Sequence, residues 1–324
     1  MTQRWSSFVF KIALSGLLLW VLVSQIDLFS IWNQAKTINP GWLSLATLLM
    51  VLQVLISSLR WGAVLGAIGA VLSFRSLVQI TFLSLFFNLA LPASVGGDAV
   101  RVWKSVQRGL LLPTAINGVL LERVVSVLGA VLLLLITHPI LQARVKYGSV
   151  LWMITGGLGI VLGGLLLLML IDRLPASWQR WKLVRGTFRL AQDTRCLFLR
   201  PRESSIVLGL SVGGQLNLAV MTYILALGLR IPLGLLDTVL LMPLVSLVSS
   251  LPISVSGWGV REGVMVVAFG LVGVPASSAL LLSILLGLVS TIVSLGGGIV
   301  WWLDNEQPGN VSGASSQVPP VSRQ

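Results

Sequence analysis

The chain has 324 residues, of which 56% are hydrophobic and only 10% charged, and its mean hydropathy is +0.96. Soluble domains carry about 25% charged residues, so this composition excludes one. The apolar residues fall in long continuous runs, not in the roughly ten-residue alternating segments of a membrane β-barrel, and the net charge of +12 fits basic loops against anionic headgroups better than a nucleic-acid surface.

The expected fold is all-α and polytopic, with about six full spans and two re-entrant helical hairpins. Full spans are read at 7–25, 40–58, 114–136, 148–171, 205–229 and 277–302. Arg4 and Lys11 flank the first, and the chain runs on through Ser24-Gln25-Ile26-Asp27 without a small-residue cleavage site, so this span is expected to stay in place. Trp5, Trp20, Trp42, Trp61, Trp152, Trp301 and Trp302 sit near the ends of runs, as an aromatic belt should. His138 precedes Pro139 at an expected helix end and reads as an interfacial loop residue. With Cys196 the sole cysteine and His138 the sole histidine, no intrachain disulfide can form. The same scarcity argues against a Cys/His metal site or a Ser-His-Asp triad; no cofactor or metal is expected.

Two apolar stretches start as spans and then break. Segment 76–97 reads SLVQITFLSLFFNLALPASVGG, and 235–259 reads LLDTVLLMPLVSLVSSLPISVSGWG. Proline removes a backbone donor and glycine loosens a helix, and irregular backbone at membrane depth is tolerated only inside protein or along a cavity. The breaks also match. LPASVGGDAVR (91–101) and LPISVSGWGVR (251–261) share seven of eleven residues at an offset of 160. Gly109 and Pro113 then introduce one span, Gly270 and Pro275 another. An internal repeat is expected, with halves of about 40–171 and 205–303.

Charge supplies the topology. Loop 172–203 holds eight Lys and Arg against three acids, so it is expected in the cytoplasm together with Arg4 and Lys11. This works only if 76–112 enters and leaves on the cytoplasmic side; the second hairpin, 235–274, then enters from outside. The repeat is therefore read as inverted, the architecture of many secondary transporters, in the inner (cytoplasmic) membrane with both termini inside. Residues 176–199 read as an interfacial helix or an ordinary basic loop. Residues 304–324, rich in Gly, Pro and Ser, read as a disordered tail beyond an integral membrane domain of 1–303.

Three constellations carry the candidate chemistry. The first is Pro92, Ser94, Gly96, Gly97, Asp98 and Arg101; the second is Pro252, Ser254, Gly257, Gly259, Arg261 and Glu262. Broken helices present free amides and a partial positive charge to anions, and arginine adds a fork suited to phosphate. Each hairpin tip is therefore a candidate phosphate-headgroup site. The competing reading is a tight turn whose arginine snorkels to the interface. The third is Glu122-Arg123, near the middle of a span. Such residues face the bundle interior, pair, or line a pathway. Adjacent helical residues diverge by about 100°, so Glu122 is expected to meet Arg101 or Arg261, and Arg123 a lipid phosphate. Asn88, Gln215, Asn217 and Tyr223 are expected in interhelical hydrogen bonds, and the glycines at 156–164 in close helix packing.

NLALPASVGGDAVRVWKSVQRG, GVLLERVVSVLG and LPISVSGWGVREG together resemble the lysylphosphatidylglycerol synthase transmembrane-region family. This family includes the flippase domain of the multiple peptide resistance factor and stand-alone flippase-like proteins. The resemblance covers nearly all of 1–303. It implies a non-enzymatic membrane protein that moves a charged lipid, phospho- or polyprenyl-phosphate-linked, between leaflets. By motif, it places the site on Gly97, Asp98, Arg101, Glu122, Arg123, Gly257, Gly259, Arg261 and Glu262. The synthase's soluble aminoacyl-transfer domain has no counterpart in the 21-residue tail, so lysylphosphatidylglycerol synthesis is not expected. Ser256 and Trp258 depart from the Gly-rich pattern, and stand-alone relatives serve different lipid pathways, so the substrate does not transfer. Two other readings stand beside the flippase: a lipid phosphatase or phosphotransferase, for which the acids Asp98, Glu122, Asp237 and Glu262 are scattered, and a scaffold for a partner lipid glycosyl- or acyltransferase through loop 172–203.

Overall fold

The computed structural model describes residues 38–90, 96–144, 155–159, 162–164, 192–250 and 259–305. The expected first span, most of span 148–171, most of loop 172–203 and the tail lie outside the described residues. So do Pro92, Ser94, Pro252, Ser254 and Gly257 at the hairpin tips.

Eight principal helices are described. They are α1 Pro40–Ala67, α2 Phe74–Ala90, α3 Gly96–Gln107, α4 Leu112–Arg144, α5 Pro201–Gly228, α6 Leu235–Ser249, α7 Val260–Gly270 and α8 Ala276–Asn305. α1, α4, α5 and α8 are long and apolar enough to cross a membrane, which makes the chain a polytopic all-α membrane protein. Their starts follow local chemistry. Asn39 caps α1 by accepting from Gly41 N–H at 2.8 Å, with Pro40 in the first turn where its missing N–H costs nothing. Pro201 opens α5 in the same way. α4 runs straight through Pro139, so His138 is helical rather than in a loop; its Nε2 lies 3.0 Å from Thr155 Oγ1. A thirty-three-residue apolar helix packed on its neighbours outweighs one lost backbone bond.

The helix lengths run long, short, short, long, twice: 28, 17, 12 and 33 residues, then 28, 15, 11 and 30. The principal packing contacts follow the same exchange. α1–α2, α2–α3, α3–α4 and α1–α4 are matched by α5–α6, α6–α7, α7–α8 and α5–α8. Between the groups, α1–α8 is matched by α5–α4, and α2–α8 by α6–α4, while α1–α5 is the central pair.

α1 and α5 run antiparallel. Gly228 faces Ile38 and Trp42, and Gly214 faces Gln53 and Ile56. Between these, Asn217 Nδ2 donates to Leu49 O at 3.0 Å and to Gln53 Oε1 at 2.8 Å. α2 and α8 run parallel: Gly297 lies against Phe82 and Phe86, and Phe87 meets Trp301 edge to face at 6.1 Å. The main apolar core draws on α1, α4, α5, α6, α7 and α8. A smaller cluster centred on Trp61 joins α1, α2 and α4.

Candidate functional site

α2 and α3 form one hairpin. The Gly97 N–H donates to Asn88 Oδ1 at 2.8 Å, and a Cβ at Gly97 would collide with the Ser84 carbonyl and the Asn88 amide. This close approach sets the register of α3, which packs antiparallel on α4. The hairpin thereby delivers Arg101 to Glu122 and Asp98 to Arg123.

Glu122 is the centre of the cluster. Arg60 Nη2 donates to its Oε1 at 2.5 Å and Arg60 Nε to the same oxygen at 3.1 Å; Arg101 Nη1 donates to Oε2 at 3.1 Å. All three residues are buried, at 6%, 6% and 4% exposure for Arg60, Arg101 and Glu122. Two guanidinium groups against one carboxylate leave a net charge of +1. Lys104, one turn further along α3, is also buried and lies over the Trp103 ring at 4.9 Å. Arg101 stacks over the Trp61 ring at 4.5 Å. Arg101 Nε, Arg101 Nη2 and Trp61 Nε1 are buried N–H donors with no hydrogen-bond partner among the described residues. These three donors on two stacked side chains lie inside the bundle next to surplus positive charge, and an anion that reached them would satisfy them.

Arg123 Nε donates to Asp98 Oδ2. This pair is more exposed and borders an apolar groove between α3 and α4 lined by Val102, Trp103, Ile116 and Leu120.

The second hairpin is built differently. Gly259 has φ +86°, a left-handed conformation that glycine adopts without a Cβ clash. It is the N-cap of α7, and its N–H donates to Glu262 Oε2 at 2.6 Å. Glu262 Oε1 accepts from Arg261 Nη2 at 2.6 Å, from Arg261 Nε at 3.2 Å and from Ser283 Oγ at 3.3 Å. Arg261 Nε also reaches Ser283 Oγ at 3.2 Å. Arg101 meets its partner on α4 at position 122, and Arg261 meets its partner on α8 at position 283. The carboxylate, however, sits beside the arginine rather than on the long helix, and among the described residues no counterpart of Arg60 joins it.

Glu122 therefore meets Arg101, while Arg261 pairs with its own neighbour. Arg123 pairs with Asp98. Gln215 and Asn217 make interhelical bonds, Gln215 Nε2 donating to Ser246 Oγ at 3.2 Å. Arg60 and Trp61 are the residues that sequence reading misses. Arg60 falls just past the expected span 40–58, and Trp61 reads as a belt residue at its end. α1 instead continues to Ala67, which places both inside the bundle, with Trp61 at 0% exposure. The available signal was Arg60-Trp61 itself, a charge and a ring within an otherwise apolar helix. Among the described residues, no group of three or more His, Cys, Asp or Glu gathers as a metal site would require.

The model of the lysylphosphatidylglycerol synthase TM region covers residues 8–298. The chain belongs to this family. What matches is the flippase-like transmembrane region, which handles lipid, and not a catalytic aminoacyl-transfer domain. Comparison with curated proteins finds no match. Gly97, Asp98, Arg101, Glu122 and Arg123 of this family member come together through the α2–α3 hairpin and its packing on α4. These residues, with Arg60 and Trp61, sit where α1, α3 and α4 meet.

Proposed function

We propose that this chain translocates a lipid with an anionic, phosphate-bearing headgroup between membrane leaflets. The headgroup enters beside the α2–α3 hairpin while the tails remain in the bilayer. The observation that carries this reading is the buried, net-positive cluster of Arg60, Arg101 and Glu122, with its three unpartnered N–H donors. In a low-dielectric interior, surplus charge and unsatisfied donors are costly unless a ligand pairs with them. A purely structural ion pair would be neutral and fully bonded.

The architecture supports alternating access. The two sets of four helices read as halves of an inverted repeat: corresponding helices α1 and α5 are antiparallel, and each principal contact has its counterpart under the exchange. α3 and α7, at about 18 and 17 Å by helical rise, are too short for a hydrocarbon core of about 30 Å, which favours re-entrant hairpins over full spans. Arg75, Arg108, Arg195, Arg200 and Arg202 flank the end of α1 and the start of α5, ends that the antiparallel pair places on one side. By the positive-inside rule that side is cytoplasmic, so the first hairpin opens inward and the second outward, as in transporters of inverted repeats.

The test is translocation of a fluorescent anionic phospholipid in reconstituted vesicles, comparing wild type with Arg101→Gln. The variant retains the neutral Arg60–Glu122 pair, so its melting temperature is expected to hold or rise. Translocation is expected to fall about tenfold or more, the loss of a charge-assisted bond. Undiminished translocation in a folded Arg101→Gln protein overturns the proposal.

A further inference from the structure

A cavity of about 310 Å³ lies between α1, α5, α6, α7 and α8, at the low end of small-molecule sites. Met50, Leu218, Ser246, Ser249, Ser290 and Arg261 are among its lining residues. Met50, Leu218 and Ser290 fall near the middles of α1, α5 and α8, so the cavity sits at mid-membrane depth, along the central α1–α5 pair. Ser246, Ser249 and Ser250 follow i, i+3, i+4 spacing and share one face at the end of α6. Ser249 Oγ is a buried hydroxyl without a hydrogen-bond partner, and Gln215 Oε1 is a buried acceptor without one. Gln215 is only 6% exposed, and its Nε2 is bonded to the cavity residue Ser246.

The charge here differs from that at Arg101. Arg261 is held by Glu262, so the wall carries a neutral pair and offers no surplus attraction for phosphate. A hydrocarbon tail would leave the Ser249 hydroxyl on the wall, and the Gln215 carbonyl beside the wall residue Ser246, unsatisfied, whereas the Ser246 and Ser250 hydroxyls already have partners. Hydroxyl groups both donate and accept and meet both kinds of atom. We infer that this cavity is a second subsite that takes the uncharged, hydroxyl-bearing part of a lipid headgroup, a sugar or other polyol. The inference rests on the lipid-handling reading above and assigns the two halves different chemistry: charge at Arg101, hydroxyls at Ser249.

The delipidated full chain in detergent is titrated with glucosyldiacylglycerol, with diacylglycerol, and with phosphatidylethanol as an anionic probe lacking headgroup hydroxyls; retention is read by native mass spectrometry. Wild type is expected to retain the glucosyl lipid about tenfold better than diacylglycerol. Ser249→Ala and Gln215→Leu each lower that preference about threefold to tenfold, the loss of one or two hydrogen bonds, and Ser249→Thr preserves it. Phosphatidylethanol retention is expected to be unmoved by these variants and lowered by Arg101→Gln. A glucosyl preference that follows Ser249 while Arg101→Gln leaves phosphatidylethanol unaffected supports this subsite and refutes the phosphate site. Equal retention of the two uncharged lipids by wild type, or a preference indifferent to both Ser249→Ala and Gln215→Leu, overturns the subsite.

Discussion

Glu122 accepts from two guanidinium groups inside the bundle, and its removal exposes what each charge contributes. Glu122→Gln would leave Arg60 and Arg101 buried side by side without a counter-charge. Breaking a buried pair from one side costs about 3–5 kcal/mol, so this variant is expected to lose that much stability, read as a large drop in melting temperature in detergent. Asp98→Asn breaks the less buried Arg123 pair and is expected to cost less than Glu122→Gln. Similar small drops in both would show that the Glu122 cluster does not organise the fold. At this scale the sequence was partly legible. A glutamate and an arginine in the middle of an apolar run cannot be inert in a membrane, and repetition of Arg101 at Arg261 singled out both. Which cation meets which acid was not legible, because Arg60 is 62 residues from Glu122 in the chain and only the crossing of α1 with α4 brings them together.

The hairpins decide where these residues stand. Gly97 permits α3 to lie against the backbone of α2, and Gly259 supplies the left-handed turn that lets Glu262 cap α7. Gly97→Ala would drive a Cβ into the Ser84 carbonyl, which no side-chain rotation relieves. Gly259→Ala would strain the turn by about 1–2 kcal/mol. Gly97→Ala is expected to cost about 1–3 kcal/mol as an overpacked contact and also to displace Arg101, so transport falls along with the melting point. A Gly97→Ala protein with wild-type stability and transport would refute the close approach. The breaks themselves were legible from proline and glycine in apolar runs. The end of α1 was not: Arg60 and Trp61 look like the edge of a span until packing on α2 and α4 pays for carrying them inward, and Pro139 looks like a stop although α4 continues through it.

Across the whole molecule, the proposed inverted repeat makes a geometric prediction. With Cys196→Ser as background, single cysteines at Ser73 and Leu110, in the turns after α1 and α3, are expected to react with an impermeant maleimide from the cytoplasmic side. Cysteines at Pro232 and Gly273, exposed in the corresponding turns of the second half, are expected to react from the opposite side. Labelling of all four from one side would exclude inversion and, with it, alternating access through opposed hairpins.

The sequence by itself determined that the chain lives in a membrane, that its apolar runs are helices, that two of them break at matching motifs, and that charge lies within the apolar region. Those properties are local: they follow from hydropathy, from the backbone limits of proline and glycine, and from the cost of a charge in hydrocarbon. Only the tertiary structure decided that Arg60 and Trp61 join the Arg101 site, that Arg261 is neutralised by its neighbour, and that serines of α6 and α8 face one cavity. Those properties depend on how long helices cross, and antiparallel packing of α1 on α5 relates residues more than 150 positions apart, a relation that hydropathy does not encode.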